Sequence, residues 1–110
     1  LFFVSQLRAF FLMGTLYRYT CRQCHSAATV SGGEDFGFEV YTQTGFCTTC
    51  QKLVDYVTAL RPGSCLDPQA TDIGVCRDCK SKITQDWNEG EGCPLCGAEM
   101  CHRTFIMDWD

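Results

Sequence analysis

Apolar and polar positions alternate most regularly between residues 36 and 46. Phe36, Phe38, Val40, Thr42, Thr44 and Phe46 fall on one face, and Gly37, Glu39, Tyr41, Gln43 and Gly45 on the other. A period of two marks a strand with one buried side. The preceding Ser31-Gly32-Gly33-Glu34-Asp35 is a turn signal, so the region predicts a hairpin. Residues 15–20 (TLYRYT) are rich in aromatic and β-branched side chains and predict another strand. Residues 53–60 (LVDYVTAL) fit a strand through Val54, Tyr56 and Thr58, and one helical face through Leu53, Val54 and Val57; the strand is favoured. Residues 82–87 (KITQDW) and 104–109 (TFIMDW) complete the set. No stretch reads as a long amphipathic helix, so the pattern predicts a small β protein.

A chain of 110 residues makes one domain or two very small ones. Half-domains of that size bury too little apolar surface to hold together without a staple. Ten cysteines supply the means. Eight of them form Cys-x-x-Cys pairs: Cys21/Cys24, Cys47/Cys50, Cys76/Cys79 and Cys93/Cys96. Disulfide frameworks rarely repeat one short spacing four times. Two thiolates three positions apart in a tight turn suit adjacent corners of a metal tetrahedron. These eight residues are the predicted metal ligands, for two zinc ions, with iron as the alternative. The last pair, Cys93-Pro94-Leu95-Cys96-Gly97, has features the turn favours: Pro94 fixes φ and Gly97 tolerates a left-handed backbone. In the other three, His25, Gln51 and Lys80 occupy the position of Gly97.

Pairs of neighbours along the chain predict two tandem zinc ribbons, each a β-hairpin carrying Cys-x-x-Cys knuckles. Residues 13–60 form the first, residues 61–74 with Arg61-Pro62-Gly63-Ser64 and Asp67-Pro68 a linker, and residues 75–110 the second. In a cross-brace the first pair would bind with the third and the second with the fourth. Tyr17, Tyr19, Phe36, Phe38, Phe46 and Trp87 are read as the two small cores. Residues 1–12 (LFFVSQLRAFFL) are read as an extension foreign to a native chain that begins at Met13; an amphipathic turn packing on the ribbons is the alternative. That segment has no basic start or small-residue cleavage site, and is too short to span a bilayer.

The formal net charge is −4 at pH 7. Two zinc tetrathiolates would take it to about −8. That is a poor partner for phosphate backbones or anionic membranes. Thiolates must stay reduced, which predicts a cytoplasmic setting. No His-x-Glu precedes a Pro-Cys-x-x-Cys, no Gly-Lys phosphate loop or Ser-centred elbow is present, and four-thiolate sites are closed to substrate. The chain is therefore read as no enzyme. Cys65, Cys101, His25 and His102 are spare; His25 is expected to pack over the thiolates and Cys65 to be exposed. The Ser31-Gly32-Gly33 amides could form an anion nest, though the acidic pair that follows favours a plain turn.

These motifs carry a resemblance. Tyr19-Thr20-Cys21-Arg22-Gln23-Cys24, Val30-Ser31-Gly32-Gly33-Glu34-Asp35, Phe46-Cys47-Thr48-Thr49-Cys50-Gln51-Lys52-Leu53-Val54-Asp55, and the ending from Cys93 to Asp110 resemble small uncharacterised bacterial double-zinc-ribbon proteins. His25 departs from the pattern, which has glycine there. The resemblance implies a bacterial cytoplasmic zinc protein and carries no substrate. The last knuckle also resembles rubredoxin, whose site holds iron. The function expected is a protein-interaction or adaptor module with structural zinc. A nucleic-acid-binding zinc ribbon and a rubredoxin-like electron carrier are the alternatives.

Overall fold

The alternation becomes strands. The computed structural model describes residues 14–99 and 102–109. Six strands run in order: β1 (Gly14–Thr20), β2 (Ala27–Val30), β3 (Glu34–Phe36), β4 (Val40–Cys47), β5 (Lys52–Leu60) and β6 (His102–Trp109). They make two antiparallel sheets of three strands, ordered β2-β1-β6 and β3-β4-β5. The described residues contain no helix, and so none that could cross a membrane. Residues 1–12 and Cys101, on which expectations were placed, lie outside the described residues.

The reading of residues 53–60 as a strand holds, and β5 pairs along the whole of β4. The long alternation from residue 36 is interrupted: Gly37 donates to the Val40 carbonyl, which turns the chain between β3 and β4. Burial on β4 is nearly continuous from Thr44 to Cys47 rather than alternate. The cause is the segment predicted as a strand at residues 82–87. It is extended but pairs only briefly, continuing the edge of β4 where short β3 stops. Phe46 donates to the Gln85 carbonyl (2.8 Å) and Trp87 to that of Thr44 (2.8 Å). The approach is close enough that a Cβ on Gly45 would meet Ile83 at 2.5 Å.

The aromatic residues do not divide between two cores. Tyr19, Val30, Phe46, Leu53 and Trp87 form one cluster drawn from both sheets and from the 82–87 segment. Tyr19 and Trp87 meet edge to face at 5.3 Å between ring centroids, a favoured aromatic geometry. Phe36 is instead exposed beside Tyr41. Together the five cluster residues contribute on the order of 10 kcal/mol of apolar burial, before entropy is subtracted. A second cluster, Cys47, Val54, Cys76 and Ile83, covers the other face of β4–β5.

Beside the first cluster, on the Leu53 face of β5, lies a polar knot. Asp55 follows Leu53 and precedes Val57 at period two, so it points inward. Its carboxylate accepts from the Ser31 amide (2.9 and 3.1 Å), the Ser31 hydroxyl (3.0 Å) and the Thr44 hydroxyl (2.5 Å). Thr44 Oγ1 in turn accepts from the Gly32 and Gly33 amides. The Ser31 amide thus serves the chain's own Asp55 carboxylate, while the Gly32 and Gly33 amides serve the Thr44 hydroxyl that donates to it. A Cβ on Gly32 would stand 2.0 Å from the Tyr19 hydroxyl, at φ +88°, so only glycine fits there.

Candidate metal centres

Each Cys-x-x-Cys pair folds into the same local unit. The residues flanking the four knuckles pair at a constant separation of seven: Thr20 with Ala27, Phe46 with Leu53, Val75 with Lys82, and Gly92 with Glu99. Within each unit, the residue after the second cysteine donates to the carbonyl of the first. These bonds are His25 to Cys21 (3.0 Å), Gln51 to Cys47 (2.7 Å), Lys80 to Cys76 (2.7 Å) and Gly97 to Cys93 (2.8 Å). All four donors have left-handed backbones, at φ 64°, 58°, 65° and 80°. The turn must reverse within a few residues to bring both sulfurs to one side, and this residue makes the reversal. Glycine does so without strain; the other three bear a cost of about 1 kcal/mol each. His25 is exposed, and among the described residues its ring makes no hydrogen bond to a ligand sulfur, so its place in the knuckle is conformational.

The pairing of knuckles differs from the sequential one expected. Cys21, Cys24, Cys93 and Cys96 form one group; Cys47, Cys50, Cys76 and Cys79 form the other. Neither neighbour pairing nor the cross-brace occurs: the first knuckle joins the fourth around the outside of the second and third. The strands impose this. β6 follows the fourth knuckle and pairs with β1, which leads into the first. The 82–87 segment, leaving the third knuckle, lies against the strand that enters the second. All eight predicted ligands are thereby brought together, four and four.

In each group the four sulfurs lie within 4.8 Å of one another. Contacts across the outer group are 3.5 Å (Cys21 to Cys96) and 3.7 Å (Cys24 to Cys93); across the inner group they are 3.5 Å (Cys47 to Cys79) and 4.0 Å (Cys50 to Cys76). A tetrahedron with metal–sulfur bonds near 2.3 Å has edges of about 3.8 Å, whereas a disulfide needs about 2.05 Å. The geometry fits a four-coordinate ion and excludes S–S bonds; all eight cysteines are free. Each group could hold one metal ion. Four thiols this close cannot all ionise unaided. Hydrogen bonds from Ser81 bring Cys79 down to about 6, while its hydrogen bond to Cys79, together with burial, pushes Cys50 up to about 12.

The first cysteine of every pair is buried, and the second is not. The two centres differ in that second ligand: Cys50 and Cys79 are half-buried within the apolar cluster, whereas Cys24 and Cys96 are exposed. Ser26 shields the outer centre, its hydroxyl lying 3.1 Å from Cys24 Sγ and 3.5 Å from Cys93 Sγ. Cys65 is exposed, as expected, and belongs to neither group. Sequence reasoning missed Asp55 and Thr44 as the groups that fix the loop at residues 31–33. The signal was a carboxylate at an inward strand position.

Set against family models, curated proteins and solved structures, the chain matches none.

Proposed function

We propose that the protein binds two zinc ions structurally and serves as a cytoplasmic protein-interaction module, without catalytic activity. The observation that carries the metal reading is the pair of four-sulfur groups with tetrahedral edge lengths. A borderline-soft d¹⁰ ion suits four thiolates and imposes no redox chemistry. A structural zinc contributes on the order of 10 kcal/mol in small peptides at neutral pH, as much as the core cluster here. Metal binding and folding would therefore be one event.

The interaction reading is supported by β6. It forms the edge of its sheet, and Phe105, Ile106 and Met107 expose 57, 42 and 49% of their surface. Consecutive exposed apolar residues on an edge strand are what protein partners cover. The negative charge speaks against nucleic acid.

Elemental analysis of purified protein tests the metal directly: two zinc per chain is expected, in a colourless sample. Visible thiolate-to-iron absorption would replace the zinc reading with the rubredoxin-like one. Chelation should collapse the β circular dichroism; an unchanged spectrum would show that the metal is peripheral. Substituting Phe105 and Met107 by serine should abolish partner association while leaving two zinc bound.

A further inference from the structure

We propose that the cavity between β1 and the β4–β5 pair binds a small monocarboxylate with an apolar body. The cavity measures about 240 Å³. It continues the space between the sheets beyond Asp55, where the aromatic core stops. Leu16, Val40, Val57 and Val75 supply an aliphatic lining. An apolar cavity of about 150 Å³ holds benzene; by that measure this one takes a molecule of about ten non-hydrogen atoms.

The charges around it select the head group. Asp55 is committed to Ser31 and Thr44, Tyr56 donates to Asp86, and Asp72 is paired with Lys80. Arg77 lines the cavity and is exposed, which places it at the mouth. Its guanidinium makes no hydrogen bond or ion pair among the described residues, and feels the longer-range attraction of Asp55 and of Asp78, which is itself paired with Lys52. The one uncommitted charge is a planar cation, the shape that takes a carboxylate in two hydrogen bonds. Inside, Thr42 is 6% exposed and its hydroxyl has no partner. One step of χ1 exchanges hydroxyl and methyl, so a ligand oxygen can satisfy a group that protein atoms leave bare.

The test is titration of the zinc-loaded full chain with octanoate, octan-1-ol and octylamine, followed by amide chemical shifts. Saturable octanoate binding is expected with a Kd of roughly 0.1–1 mM. Its shifts should centre on Val40, Thr42, Val57 and Val75, and octylamine should bind at least tenfold more weakly. Arg77→Gln should reduce octanoate to the level of octan-1-ol, with two zinc still bound by native mass spectrometry. Val57→Phe, which fills the cavity, should abolish binding of all three. The proposal is overturned if the full chain binds no octanoate, if octylamine binds as well, if Arg77→Gln has no effect, or if the shifts map elsewhere, such as on β6.

Discussion

Cys21 and Cys96 are 75 positions apart in sequence and bring their sulfurs to 3.5 Å. In the inner group, Cys50 and Cys76 are separated by 26 positions. The outer centre thus encloses the inner one, and the two should be separable. Cys96→Ser is expected to lower bound zinc from two to one by native mass spectrometry. Hydrogen exchange should then show β6 losing amide protection while β4 and β5 keep theirs. Simultaneous loss of both ions would show that the centres form a single cooperative unit.

The left-handed knuckle residues make a graded prediction. His25→Gly should stabilise the zinc-loaded protein by about 0.5–1 kcal/mol, because it removes backbone strain and sacrifices no contact. Gln51→Gly should gain less, since the Gln51 side chain donates to the Thr48 carbonyl (2.7 Å). Gly97→Ala should cost about 1 kcal/mol. Denaturant midpoints at saturating zinc measure all three.

Thr42 and Thr44 sit two residues apart on β4, both buried, with opposite polar circumstances. The Thr42 hydroxyl has no partner, and the Thr44 hydroxyl has three. Thr42→Val should raise stability by about 1 kcal/mol, and Thr44→Val should lower it by about 2–3 kcal/mol. In thermal melts these correspond to shifts of roughly 4 °C up and 10 °C down.

Alkaline pH should weaken the fold through two phenols. Burial and Asp86 push Tyr56 up from 10 to about 12, and burial and Glu89 push Tyr19 higher still. Below pH 10 both are neutral in either state, and their contribution is complete. Between pH 10 and about 12 the unfolded chain loses these protons and the folded chain keeps them, so stability falls as pH rises. Tyr56→Phe should flatten that decline in urea midpoints taken at pH 9 to 11.5, and Tyr19→Phe should flatten it further.

The knuckles were legible because their chemistry is local: two sulfurs, one reversal and a left-handed residue all fit within six positions. So were β1, β5 and β6, from β-branched and aromatic runs. The pairing of the knuckles was not. Loop-closure entropy differs by only about 1 kcal/mol between joining positions 26 and 69 apart. Spacing alone therefore cannot choose among pairings; β6 on β1 and Trp87 against Tyr19 decide it. Residues 82–87 misread as a full strand because Ile83 and Trp87 are buried for packing while only Asp86 bridges to β4. Asp55 was visible as a charge at an inward position, but its partner loop became apparent only in three dimensions.

Enclosure of one centre by another has a consequence for biosynthesis. At about 5–20 residues per second, the ribosome delivers Cys93 roughly 3–14 s after Cys24. During that wait Cys47 and Cys50 have already emerged beside the first knuckle. A zinc ion captured early would bridge these neighbours, and the native inner centre could form only by ligand exchange once Cys76 and Cys79 had been made. Nascent chains stalled after Cys50 and before Cys76 should therefore carry a non-native metal cluster.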